Sequence, residues 1–365
     1  IHAFGTENTT VRYSAQEVEK YEVNNILRIT TADGFEGVSG VDTFYDDGFS
    51  DEHAVELQSV AAALTELEFL DPVEVGKILE QSHPGLSDAA RSSVDIALWD
   101  LAAQKADCPL HELLGAKRTA MEPYASFPFY DSLPEYVDAV EQYSKLGYMT
   151  FKFHVWGSIE DDLLLVELLK RTFADAHYQF MIDIEEKYDL EDATRLGKQM
   201  NEELFVWLEG PLEDEYLAQY AELRSRVSTQ VISDGCRCYS RDFVRQGIES
   251  GSWDAGRFDA TKVGGVTEAL ELLLIANAAG LAMEIQSWGH SLSQAVNLHL
   301  ALANTQTRYF EAPTPTDAFE FGMKNGVTLS QGRVVAPDGP GLGIQVDWER
   351  LNLADFYVYS KPFGP

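Results

Sequence analysis

The chain is poor in cysteine, in basic side chains and in long apolar runs, and each shortage removes a class of protein. Three cysteines among 365 residues, Cys108, Cys236 and Cys238, are too few for a disulfide scaffold and fit a reducing cytoplasm, the expected location. The thiols of Cys236 and Cys238, with no second pair nearby in sequence, make a poor zinc motif. No stretch of about 18 uninterrupted apolar residues occurs, so no membrane span is expected. The opening segment IHAFGTENTT has neither the basic nor the apolar part of a signal peptide. It has no initiator Met either, and a few preceding residues are expected.

Lys and Arg number 27 against 60 Asp and Glu, for a formal charge of −33. Such a surface repels nucleic acid and anionic membranes, so neither is expected as a partner. A salt-rich host, where screening relieves the self-repulsion, and an ordinary acidic surface both account for it.

What is present is a regular rhythm. With 45% hydrophobic and 24% charged residues, the chain can bury a large core. Apolar strand candidates begin near Met121, Met149, Phe180, Val206, Gln230, Arg257, Ala282 and Arg308, at intervals of 24 to 31 residues. Amphipathic stretches such as residues 161–173 and 266–280 lie between them, the second ending on a glycine where a helix should stop. Eight alternating units of this size spell a (β/α)₈-type barrel. Residues 1–120 read instead as a smaller α+β domain. Within it, two strands meet at Asp33-Gly34, a strong turn signal, before three helical stretches. The barrel is expected over 121–335, and the Gly- and Pro-rich tail, 336–365, is expected to return to the first domain.

Three acids sit at matching points of that rhythm. Asp183, Glu209 and Asp234 each end a short apolar run, in MIDIEE, VWLEGP and QVISDG, and are spaced 26 and 25 residues apart. One strand, one helix and two short loops take about that many residues, so the three should converge on one rim. A hard divalent cation such as Mg²⁺ is the simplest reason to gather that charge. Lys152 and His154, two apart on the preceding strand, should both face the interior.

Motifs in order along nearly the whole chain then carry a family resemblance. Residues 92–117 (SSVDIALWDLAAQKADCPLHELLGAK), FKFHVWG, MIDIEE, WLEGP, FDATKVGGVTEAL, SWGHSL, YFEAP and DGPGLG together resemble the enolase superfamily, and more closely its mandelate racemase and acid-sugar dehydratase branch. The resemblance implies an α/β fold: a modified TIM (β/α)₇β barrel closed by an N-terminal α+β capping domain. It also implies removal of the proton α to a carboxylate, with Mg²⁺ bound by Asp183, Glu209 and Asp234. In the racemase-like pattern the third ligand falls on Cys236, a poor partner for Mg²⁺; in the lactonising pattern it falls on Asp234.

The same resemblance assigns the remaining roles. His154 stands where the family commonly has its basic Lys and is the expected base, with Lys152 beside it favouring the neutral imidazole. Asp259 matches the Asp of the family's His-Asp dyad, but the matching His position holds Gln286, which cannot exchange protons. His290, four residues on, could reach inward or sit on the surface. Glu311 resembles the acid that helps bind the substrate carboxylate. Residues 41–52 form a lid candidate in which Phe44 and Tyr45 could touch substrate; Trp156 and Trp288 are read as pocket walls. Because racemisation needs proton exchange on both faces, loss of one histidine favours dehydration of a hydroxylated acid, an acid sugar, to a 2-keto acid. A racemase, epimerase or cycloisomerase and a catalytically degenerate ligand-binding member are the alternatives. The expected partner is a small-molecule carboxylate, and a homo-oligomer is expected.

Overall fold

The alternating rhythm of the sequence becomes a ring of parallel strands in the computed structural model, which describes residues 2–7, 12, 21–42, 51–65, 67, 71–235 and 239–359. The N-terminal part begins with β1 (His2–Glu7), β2 (Tyr21–Thr30) and β3 (Glu36–Asp42), an antiparallel series. Asp33-Gly34 does turn β2 into β3: Gly34 adopts φ 89°, a conformation that glycine takes without a Cβ clash. Helices α1 (Asp51–Leu64), α2 (Pro72–Ser82), α3 (Asp88–Lys105) and the short α4 (Leu110–Leu113) follow. Ser87 caps α3 by accepting from the Ala90 amide.

The ring is built from β4 (Ala120–Phe127), β5 (Thr150–His154), β6 (Gln179–Asp183), β7 (Phe205–Glu209), β8 (Gln230–Ile232), β9 (Ala255–Phe258), β10 (Ala282–Ile285) and β11 (Tyr309–Pro313). Helices α5 (Leu133–Ser144), α6 (Ile159–Thr172), α7 (Leu190–Gln199), α8 (Leu217–Arg226), α9 (Arg241–Ser250), α10 (Val266–Ala279) and α11 (Ser291–Ala303) connect them. β4 through β10 pair in sequence order, and β11 returns to pair in parallel with β4. Side chains bridge the seam between β10 and β11: Glu284 accepts from the Arg308 and Tyr309 amides, and Thr307 donates to the Met283 carbonyl at 2.7 Å.

The eighth unit departs from the rhythm. After β11 the chain makes only a 3₁₀ turn, Thr316–Phe319. Seven helices and eight strands make the barrel (β/α)₇β. A hairpin, β12 (Thr328–Ser330) and β13 (Arg333–Val335), then pairs antiparallel with the start of β4. After α12 (Trp348–Leu351), β14 (Phe356–Tyr359) joins β1, so the tail completes the first sheet. No helix of the described residues is long and apolar enough to cross a membrane.

Helix α3 locks the N-terminal part onto the barrel. Asp95 accepts from the Thr267 amide at 2.9 Å, capping α10, and Trp99 donates to Thr267 Oγ1 at 2.9 Å. Gly265 makes this approach possible: a Cβ there would lie 2.5 Å from Asp95 Oδ1. Asp100 joins three segments by accepting from the amides of Val38 at 2.8 Å and Leu342 at 2.7 Å.

Candidate active site

The C-terminal strand ends deliver the site. Alternation along β5 turns Lys152 and His154 into the ring, both almost fully buried. Lys152 Nζ reaches Asp183 Oδ2 at 2.7 Å, Glu209 Oε1 at 2.9 Å and Glu311 Oε1 at 2.9 Å. Three carboxylates from β6, β7 and β11 therefore share one ammonium.

A second buried cation lies beneath them. Arg257, on β9, places Nε 2.8 Å from Glu209 Oε1 and Nη2 2.7 Å from Glu311 Oε2, while Nη1 donates to the Tyr124 hydroxyl at 3.1 Å. Glu209 Oε2 accepts from Trp207 Nε1 at 2.9 Å. Glu311 also accepts from Ser126 Oγ and the Ser287 amide, each at 2.9 Å. Burial opposes ionisation of Glu311, but Lys152 and Arg257 hold its carboxyl well below the usual range. Burial likewise opposes ionisation of Asp183, which Lys152 and His154 bring down to about 2.

His154 is oriented from behind. Its Nδ1–H donates to the Phe127 carbonyl at 2.6 Å, which leaves the lone pair on Nε2. Nε2 faces Asp183 Oδ2 at 3.4 Å and Glu185 Oε1 at 3.3 Å. Burial lowers its pKa to about 4, with Asp183 pulling the other way, so the imidazole is neutral at pH 7. The ring of Trp288 meets it edge-on at 5.0 Å.

The loop after β6 adds acids that the sequence reading passed over. Glu185 and Glu186 both lie in the left-handed region, at φ 56° and 59°, an unusual state for residues with a Cβ. Backbone bonds to the next loop hold them there: the Glu186 amide donates to the Gly210 carbonyl at 2.7 Å and that of Tyr188 to Pro211 at 3.1 Å. Burial, then the charges of Asp183 and Asp234, push the Glu185 carboxyl well above its ordinary value. Asp214 uses both oxygens on the amides of Asp234 and Gly235, at 2.9 and 2.8 Å, and its own amide donates to Glu186 at 2.9 Å. Gly210 lets Asp234 come close, since a Cβ there would lie 2.8 Å from Asp234 Oδ2.

Among the described residues, two groups gather donor atoms within 4.8 Å of one another: His154, Asp183 and Glu185, and Glu186, Asp214 and Asp234. Asp183 and Asp234 thus fall in neighbouring groups, whereas Glu209 is held by Lys152 and Arg257. Carboxylates outnumber the cations in this largely buried cluster, and their hard oxygen donors fit a divalent ion such as Mg²⁺.

The other expected residues are tied to neighbouring elements. Asp259 Oδ1 accepts from the Thr261 amide at 2.8 Å, Thr261 Oγ1 at 2.9 Å and Asn297 Nδ2 at 2.7 Å, which ties it to α11. His290 stands at the start of α11, with Nε2 2.9 Å from the Phe321 carbonyl. The Gln286 amide donates to the Phe258 carbonyl at 2.8 Å, continuing the strand. Trp156 packs edge-on against Phe129 and Tyr136. Phe44, Tyr45, Cys236 and Cys238 lie outside the described residues. Arg257 had one sequence signal, an arginine inside a predicted barrel strand; Glu185 shares the parity of Asp183 two residues on.

Comparison with known proteins places this geometry in a lineage. Residues 6–115 match the family model described as "Mandelate racemase / muconate lactonizing enzyme, N-terminal domain", and residues 135–350 match "Enolase C-terminal domain-like". An arabinonate dehydratase from Saccharolobus solfataricus is 24% identical, the match covering 87% of each chain. An L-Lys-D/L-Arg epimerase from Desulforapulum autotrophicum is 27% identical over 79% of this chain and 84% of its own. The solved L-talarate/galactarate dehydratase from Salmonella typhimurium LT2, liganded with Mg and L-lyxarohydroxamate, superposes with a TM-score of 0.86 at 22% identity, covering 99% of this chain and 93% of that one.

Proposed function

Because the chain belongs to the mandelate racemase / muconate lactonizing enzyme family of the enolase superfamily, we propose that it removes the proton α to a carboxylate with the help of Mg²⁺ and completes the reaction as dehydration of an acid sugar to a 2-keto acid. The observation that carries this reading is the orientation of His154. Its Nδ1–H is committed to Phe127, and its neutral Nε2 stands beside Asp183 in the carboxylate cluster.

Asp183, Glu209 and Asp234 are the proposed metal ligands, with Glu185 as a further oxygen beside Asp183. Bound there, Mg²⁺ would supply Lewis-acid stabilisation of the negative charge that develops on the substrate carboxylate. His154 Nε2 takes the α-proton as the C–H bond breaks. The same imidazolium returns a proton to the β-hydroxyl as the C–O bond breaks, water leaves, and the resulting enol tautomerises to the 2-keto acid. Lys152 keeps positive charge beside the reacting carboxylate, and Glu311 fixes that ammonium. Trp288 shields the imidazole from water.

Dehydration is favoured because Gln286 holds the position where the family resemblance expects the opposing histidine, and an amide exchanges no protons. Epimerisation, racemisation and cycloisomerisation share the first step, and an epimerase among the relatives keeps that outcome in view. The test is proton NMR in D₂O with Mg²⁺ over a panel of acid sugars and amino acid derivatives. Exchange with 2-keto acid formation is expected. Exchange with inversion instead assigns an epimerase or racemase, and no exchange across the panel assigns a ligand-binding member without turnover.

A further inference from the structure

In a chain where acids outnumber bases by 60 to 27, a buried ammonium without a carboxylate partner needs an explanation. Lys187 is such a residue. Its Nζ is shut off from solvent and makes no hydrogen bond, and no described residue supplies it with an ion pair. An ammonium has three donors and no acceptor, so burial without an acceptor is unfavourable unless something outside the chain provides one.

Its position says what that could be. Lys187 lies in the loop after β6, four residues beyond Asp183, and its stem crosses Gly157 in the loop after β5. A Cβ on Gly157 would lie 2.4 Å from Lys187 Cδ, so this glycine leaves the stem its path. Two acids that feel its charge, Asp162 and Glu185, are otherwise engaged. Asp162 accepts from the Tyr188 hydroxyl at 2.5 Å and the Trp156 amide at 3.0 Å. Glu185 faces His154 Nε2 at 3.3 Å. Glu185 therefore faces the proposed base and also feels the Lys187 ammonium.

We propose that Lys187 docks a second carboxylate of the substrate, at the end remote from the α-carbon, and so selects dicarboxylic acid sugars over monocarboxylic ones. The assignment rests on the enolisation reading above, which puts the α-carbon at His154 Nε2 and the first carboxylate on the Lys152 side. A substrate held that way extends its far end past Glu185 toward Lys187. A single ammonium with three donors suits a carboxylate.

The test is isothermal titration calorimetry of the Mg²⁺-supplemented protein with a panel of six-carbon aldarates and their matching aldonates. At least one aldarate is expected to bind about tenfold or more tightly than its aldonate. Lys187→Met should abolish that preference while leaving aldonate affinity within about twofold, and Lys187→Arg should restore it. A panel in which no aldarate outbinds its aldonate, or a Lys187→Met variant that keeps the preference, overturns the assignment. The enolisation reading fails separately: it falls if an aldarate that binds shows no α-proton exchange in D₂O.

Discussion

Lys152 and Arg257 meet on a single oxygen: Glu209 Oε1 lies 2.9 Å from the ammonium and 2.8 Å from the guanidinium. Two buried cations come this close only because Glu209, Glu311 and Asp183 surround them. The arrangement fixes the floor of the site before any ligand arrives. It also means that Glu209 can join a metal only while shared with its internal cations.

Arg257→Met tests that floor. Removing the guanidinium leaves Glu209 and Glu311 short of a partner in a dry interior, which costs about 3–5 kcal/mol when one member of a buried pair is lost. Urea unfolding should show a loss of that order, and a second substitution, Glu209→Gln, should recover part of it. A cost below about 1 kcal/mol would show that the network is dispensable for folding.

Asp183 connects the internal cations to the proposed metal. It accepts from Lys152 at 2.7 Å, and its carboxylate gathers with His154 and Glu185. In Asp183→Asn the melting temperature should no longer rise on adding Mg²⁺, whereas the parent protein should gain stability by mass action. An unchanged Mg²⁺ response in the variant removes Asp183 from the metal site.

His154→Asn separates base from metal. Asn can still donate toward the Phe127 carbonyl but carries no titrating nitrogen. Exchange of the α-proton in D₂O should fall by about 10²–10⁴-fold, the usual contribution of a positioned base, while the Mg²⁺-induced rise in melting temperature persists. Exchange at the parental rate would move the base role to another group.

Much of this was readable in the sequence because repetition is. Asp183 and Glu209 end β6 and β7, as their 26-residue separation implies, and Lys152 and His154 share a face because a strand alternates. The helix boundary at Gly280 was legible for a similar reason: a C-terminal glycine in the left-handed region, φ 74°, is a local signal. What escaped is what depends on tertiary pairing. Nothing in PLED marks Asp214 as the clamp on the Asp234 backbone, 20 residues away. Arg257 looked like the polar start of an apolar run, and only ring closure brings it between Glu209 and Glu311. Glu185 turns toward His154 through a left-handed backbone that Glu rarely adopts, so no propensity announces it.

A last prediction concerns acid stability and the histidine pair behind the barrel. His299 Nδ1 accepts from the His111 amide at 3.1 Å and lies 3.0 Å from His111 Nδ1, and its Nε2–H donates to the Leu342 carbonyl at 3.2 Å. Burial lowers the His299 pKa from 6.5 to about 3 against the pull of the Leu342 bond. A histidine held below its unfolded value contributes stability that is complete above pH 6.5 and declines as pH falls toward 3, because the unfolded chain binds the proton first. Between pH 6.5 and 4 this amounts to about 3 kcal/mol at 1.36 kcal/mol per pH unit. His299→Gln keeps a donor for Leu342 but cannot titrate, so its stability, measured by urea unfolding at a series of pH values, should fall less steeply in that window. Parallel slopes for parent and variant would mean that His299 takes up its proton without unfolding, and that the stack with His111 tolerates a charge.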